Sequence, residues 1–282
     1  MWIWMTLGSA LLLGLYDVAK KQALKRNGVL WILLSATALT TLFLCPFLSA
    51  GTLSDHIKLL LKAVLVTTSW VSGLKGMKLL PLTTVSTIKA SRPVFVVVFS
   101  IILFGEKLNF PQWAGVILAM TALYLLSRSS RKEGIAFKGN AGITHMVVSV
   151  LSGAASALYD KHILIDMKPL FVQSWANLYI TLLLALIILF KFVTDRPSLE
   201  HFHWDWTLLL IAVLITVADA LYFLALKQPD AMLSVISMVR RCSVVVTFVL
   251  GALLFKEHNI KDKAVDLGVL LVAMALLVFG SC

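Results

Sequence analysis

The chain has 282 residues, 60% hydrophobic and 14% charged, with a formal net charge of +11 and a mean hydropathy of +0.93. A soluble domain is about 45–50% apolar, and a chain this short has no way to bury so much apolar surface within itself, which sets a soluble globular protein aside. Nor does the positive charge point to nucleic acid: the cations gather at the ends of apolar runs, as in "KKQALKR" (Lys20–Arg26) and "SRSSRKEG" (Ser127–Gly134), the placement by which Lys and Arg set membrane orientation.

A helix crosses a bilayer core with about 20 apolar residues, and ten such spans are expected in chain order. The first, 2–24, has no basic stretch before it, so it reads as a span and not as a signal peptide. It carries Tyr16 and Asp17 in "SALLLGLYD", with Lys20 following at the membrane edge. Spans 30–49 and 58–79 come next, the latter ending in Lys75 and Lys78, which are expected to snorkel. The fourth, 83–104, holds Lys89 and Arg92 in "VSTIKASRPVFVVVFSIILFGE", and the fifth is 110–127. After a connection over 128–140, span 141–165 carries "SGAASALYD" with Tyr159 and Asp160. Span 170–193 is followed by 205–226, with Asp219 in its middle. Span 231–255 holds Arg240 and Arg241, and 262–280 closes the series. Connections this short leave no room for an extramembrane domain.

The halves 1–127 and 141–282 are two copies of one plan. "SALLLGLYD" (Ser9–Asp17) aligns with "SGAASALYD" (Ser152–Asp160), and Ser86–Glu106 aligns with "SMVRRCSVVVTFVLGALLFKE" (Ser237–Glu257). Each copy has an odd number of spans, so the second enters the membrane from the opposite side. Inverted repeats are the usual build of secondary transporters, with the substrate near the midplane between the halves.

The stretch "RPVFVVVFSIILFGEKLNFPQWAGVILAMTALYLL" (Arg92–Leu126) resembles the EamA domain of the drug/metabolite transporter superfamily. The marks are a proline opening the apolar run, Gly105-Glu106 closing it, and Gln112-Trp113-Ala114-Gly115 starting the next helix. The second half repeats them more loosely, with Lys256-Glu257 and Gly268. The resemblance implies a ten-helix carrier working by alternating access. Connections 1–2, 3–4, 5–6, 7–8 and 9–10 hold 15 Lys and Arg against 6 in the remaining connections. By the positive-inside rule both termini face away from the cytoplasm. EamA members are often drawn the other way, so orientation stays open. Short loops and no targeting segment fit a bacterial inner membrane.

Lys89, Arg92, Arg240 and Arg241 are the candidate substrate ligands. Nine residues into a span is roughly 13 Å, near mid-bilayer, where a cation costs about 2.5–3.5 kcal/mol. A guanidinium fork fits carboxylate or phosphate, and a lysine adds a point charge. Asp17, Asp160 and Asp219 are the interior acids, read either as ion-pair partners or, for Asp219, as a proton-coupling group. Tyr16 and Tyr159 either hydrogen-bond substrate or brace the bundle. "IKASRPVF" (Ile88–Phe95) and "VRRCSVVV" (Val239–Val246) are also similar to the fourth and ninth helices of the triose-phosphate and organic-phosphate translocators. That likeness implies phosphate contacts for Lys89, Arg240 and Arg241. Arg92 departs from it, standing where those translocators have an acid.

No HExxH, GxSxG or phosphate-cradling glycine loop occurs. Cys45, Cys242 and Cys282 follow no metal or disulfide spacing. The expectation is therefore an all-α carrier, not an enzyme, with no cofactor or metal and no nucleic-acid partner. It moves a small organic anion, or alternatively exports amino acids, related neutral metabolites or drugs with protons, as a monomer or homodimer; a membrane assembly factor that transports nothing is the third reading.

Overall fold

The computed structural model describes residues 2–92, 95, 99, 109–131, 137–163, 166–194, 202–226, 239–240, 242–255 and 260–279, and it is all-helical over them. The first half contains α1 (Trp2–Ala23), α2 (Val29–Leu44), α3 (Leu53–Leu79), α4 (Leu82–Ala90) and α5 (Phe110–Arg131). The second contains α6 (Ala141–Ile163), α7 (Pro169–Thr194), α8 (Trp206–Leu226), α9 (Ser243–Phe255) and α10 (Ile260–Phe279). Among the described residues, four helical stretches are long and apolar enough to cross a membrane: Val29–Phe47, Leu53–Leu79, Ala141–Asp160 and Pro169–Thr194. In lipid every backbone polar group must be paired within the protein, and helices do this by themselves.

Local chemistry sets the helix ends. Thr52 and Asp55 form a capping box: Thr52 Oγ1 accepts from Asp55 N at 3.3 Å while Asp55 Oδ2 accepts from Thr52 N at 3.0 Å. This starts α3 at Leu53, five residues before the span expected from hydropathy. Pro81 separates α3 from α4, since it has no N–H to continue the helix. Gly139, at φ 78°, makes the turn into α6 in a region that L side chains avoid. Asn140 then caps α6, its Oδ1 accepting from Gly142 N at 2.9 Å. Asp205 Oδ1 caps α8 by accepting from Thr207 N at 3.1 Å. Past α2, the chain tightens into a 3₁₀ turn over Cys45–Phe47.

Packing follows the repeat. Exchange of the halves turns α1 into α6, α2 into α7, α3 into α8, α4 into α9 and α5 into α10. Under that exchange the contact of α3 with α6 becomes that of α8 with α1, and α3 with α7 becomes α8 with α2. The pairs α2 with α7, α4 with α9 and α5 with α10 map onto themselves. This is the pattern of two copies related by a pseudo-two-fold axis.

Small residues bring α3 and α6 together. Ser69 Oγ donates to Ser149 O at 2.8 Å, and Ser149 Oγ returns to Ser69 O at 2.7 Å. A Cβ on Gly73 would stand 2.7 Å from Ser149 Oγ, and one on Gly76 2.7 Å from the Met146 side chain. At the end of α1, Lys21 Nζ donates to the carbonyls of Met77 and Leu80 at 2.5 and 2.6 Å, satisfying acceptors that the end of α3 leaves open.

Candidate functional site

Besides Lys263 and Asp266 of α10, both buried, with Lys263 Nζ donating to Thr83 Oγ1 at 3.1 Å, the interior charges fall into two groups joined across the halves. In the first, Asp17 of α1 meets Lys89 in the last turn of α4. Lys89 Nζ donates to Asp17 Oδ1 at 2.8 Å and Oδ2 at 2.9 Å. One turn beyond Asp17, Lys20 lies on aromatic faces: its Nζ is 3.9 Å from the Tyr16 ring centre and 5.6 Å from that of Trp70. Lys20 is 7% exposed. Its side chain is therefore turned into the bundle and not out to solvent. Tyr16, spaced i, i+4 on the same helix, and Trp70 of α3 cover its stem and head, and Asp17 and Lys89 are its charged neighbours.

In the second group, Arg240, just before α9, pairs with Asp219 of α8. Gln173 Nε2 of α7 donates to the other Asp219 oxygen at 3.3 Å. The Arg240 guanidinium also stacks 4.3 Å from the Tyr222 ring centre. Its Nε is buried with no hydrogen-bond partner among the described residues.

Two links cross between halves. Lys62 of α3 pairs with Asp160 of α6. Arg92 donates through Nη2 to the Gly153 carbonyl of α6. A Cβ at Gly153 would stand 2.7 Å from the Arg92 guanidinium carbon, so the small-residue run "SGAASA" here makes room for a cation. Lys62 also acts on Asp219, which ties this crossing to the second group.

Every sequence-predicted cation that is described has a partner, and the pairing departs from the repeat alignment. Lys89 and Arg240 occupy equivalent positions, as do Asp17 and Asp160. Lys89 binds Asp17, yet Arg240 binds Asp219 and leaves Asp160 to Lys62. The reason is local: α8 supplies an interior acid and α3 an interior lysine. Tyr16 and Tyr159 diverge likewise. Tyr16 is buried under Lys20, whereas Tyr159 packs against a satellite cluster of Leu59, Ile163, Met167 and Val172. Lys75 and Lys78 are exposed. Arg241, Glu106 and Glu257 lie outside the described residues. Among the described residues no three His, Cys, Asp or Glu side chains converge as a metal site.

The interior is thus a polar seam inside an apolar bundle, built from paired charges of α1, α3, α4, α6 and α8 with aromatic walls. The EamA-like transporter family profile matches residues 1–128 and again 140–279. The chain belongs to the EamA-like transporter family. As a member it is a multi-pass integral membrane transporter and not an enzyme. A similar fold is seen in a solved crystal structure, titled only as that of a protein. It superposes with a TM-score of 0.62 at 14% identity, over 97% of this chain and 96% of that one. No curated protein matches the sequence.

Proposed function

We propose that the protein is a secondary carrier that moves a small organic anion, carboxylated or phosphorylated, by alternating access. The observation that carries this reading is Lys20. It is a buried cation, held on Tyr16 and Trp70, with no carboxylate in ion-pair range among the described residues. The carboxylate near it, Asp17, is already engaged by Lys89; a buried charge without an ion pair of its own is costly, and an incoming anion supplies one. Lys20 was not among the candidates from sequence. Lys89, Arg92 and Arg240 then serve as further ligands, with Asp17 and Asp219 holding Lys89 and Arg240 in place until substrate arrives. Arg241, Tyr159 and the likeness of Ile88–Phe95 and Val239–Val246 to phosphate translocators belong to the same proposal. So do a bacterial inner membrane and a monomeric or homodimeric state.

The test is a thermal-shift panel on purified protein with inorganic phosphate, organic phosphates, dicarboxylates, amino acids and cationic drugs. A ligand that binds the native state raises the midpoint by mass action. Anions are expected to stabilise the wild type and to lose that effect in Lys20→Gln and Arg240→Gln. Stabilisation by neutral or cationic compounds alone overturns the anion reading. A second reading, a proton-coupled exporter of neutral metabolites, draws on Asp219, which Arg240 and Gln173 share. It predicts uptake into vesicles that depends on a pH gradient and is lost in Asp219→Asn.

A further inference from the structure

A polar cup of about 540 Å³ opens at one end of the bundle, where the turn after α1 meets the segment leading into α8. Lys25 and Arg26 line it from the first half, and His203, Trp204 and Asp205 from the second. Two contacts hold the segments together. Asn27 Oδ1 accepts from His203 N at 2.7 Å, and the rings of Trp31 and Phe202 lie 5.3 Å apart. The cations of the cup keep donors to spare. Arg26 is exposed and reaches Asp205 Oδ2 only at 3.8 Å, while Asp205 Oδ1 is taken up by the Thr207 N–H at the start of α8. Lys25 is also exposed. It has no carboxylate in ion-pair range among the described residues, and its Nζ stands 5.1 Å from the Phe255 ring centre at the end of α9. Two cations against one carboxylate leave the cup one positive charge, the complement of a phosphodiester.

Depth decides where such a phosphodiester comes from. Helix α1 ends at Ala23 and α8 begins at Trp206, so the cup lies where two spans leave the hydrocarbon. Beside its cations Trp204 is 57% exposed and Trp206 74%, and exposed tryptophans next to Lys and Arg are the side chains that settle among lipid headgroups. Connections 1–2 and 7–8 both belong to the cation-rich set, and basic pockets at the ends of spans hold anionic headgroups. From these observations we infer that the cup binds the phosphate of an anionic lipid. Arg26 offers its guanidinium fork and Lys25 a point charge to the phosphate oxygens, and Trp204 covers the glycerol below. A lipid held there touches both halves at once and braces the α1–α2 turn against α8. The cup shares no residue with the charged seam, so the inference does not rest on the anion reading.

The experiment is native mass spectrometry of the full chain in detergent, titrated with phosphatidylglycerol or phosphatidylcholine. The wild type is expected to prefer phosphatidylglycerol about fivefold, the effect of one net cation near the membrane surface. Joint substitution of Lys25→Gln and Arg26→Gln should abolish the preference while leaving the thermal midpoint in phosphatidylcholine unchanged. Lys25→Gln alone, which cancels the net charge and spares the Arg26–Asp205 contact, should do the same if the joint variant fails to fold. Lys75→Gln with Lys78→Gln removes as much charge from the exposed end of α3 and should keep the preference. Equal affinity for the two lipids overturns the inference. So does an equal loss in the α3 control, which would assign the preference to surface charge at large. Glycerol 3-phosphate that binds alone as tightly as phosphatidylglycerol, and displaces it, assigns the cup to a soluble phosphate and overturns the lipid source.

Discussion

The two halves share a fold and differ in charge. In the first, Lys20, Lys62, Lys89 and Arg92 face the interior beside one carboxylate, Asp17. In the second, Asp160, Asp219 and Asp266 face it beside Arg240 and Lys263 among the described residues. Equivalent helices even carry opposite signs, Lys62 on α3 and Asp219 on α8. Packing is the property held in common, because the most extensive helix contacts map onto themselves or onto each other when the halves are exchanged. The lesson is that close packing fixes shape at each position, whereas charge needs to balance only over the interior as a whole. Halves of unlike charge attract, and the ion pair Lys62–Asp160 is where that attraction becomes a contact.

The comparison can be broken at that pair. Asp160→Asn strands the half-buried Lys62 and should cost up to about 3 kcal/mol, since removal of one partner leaves a charge without compensation. Thermal unfolding of Asp160→Asn, Lys62→Gln and the double variant measures the coupling; additive losses would show that the halves are not held by this pair. Next in size is the ligand effect of the positive half. At an anion concentration 100 times Kd, ligand stabilises the wild type by about 2.7 kcal/mol. Lys20→Gln should remove this and leave the unliganded protein's midpoint little changed. Asp17→Asn is the contrasting probe, because it adds to the positive surplus. Its expected outcome is weakened transport with anion binding retained.

Packing sharpens the comparison from the other side. Gly73→Ala places a Cβ 2.7 Å from Ser149 Oγ and should destabilise by about 1–3 kcal/mol through overpacking of α3 on α6, without altering which ions bind. Smallest are the helix caps. Thr52→Ala in the first half and Asp205→Ala in the second should each cost about 1 kcal/mol. The Arg26–Asp205 contact at 3.8 Å, with Arg26 75% exposed, adds little to the second value. Equal losses in unfolding experiments would show caps used alike in halves whose charges are not.

Hydropathy was a good guide to the helices, because apolar length is what a bilayer selects; α1, α7, α8 and α10 begin or end within about two residues of the expected spans. The charges were harder to place. Lys62 was missed for a traceable reason. With the span begun at 58 it sits at the membrane edge, but the capping box Thr52–Asp55 starts the helix at Leu53 and carries Lys62 about 14 Å in. That signal was in the sequence, as threonine followed three residues later by an acid. Lys20 had a weaker one, the i, i+4 spacing from Tyr16; the Trp70 ring that completes its cover comes from another helix, which no local pattern reveals. The exchange of partners between Asp160 and Asp219 was beyond the repeat alignment, since it depends on which neighbouring helix offers the nearer opposite charge.

Lys21 has a consequence for how such a bundle changes shape. Its ammonium grips two carbonyls at the corner where α3 gives way to α4, so the foot of α1 and the foot of α4 share one anchor. Asp17 and Lys89, farther up the same two helices, form a second. Two fixings along a pair of rods leave them little freedom to scissor. The pair swings as a single lever, and the cation-bearing turns of α4 travel wherever α1 is pushed.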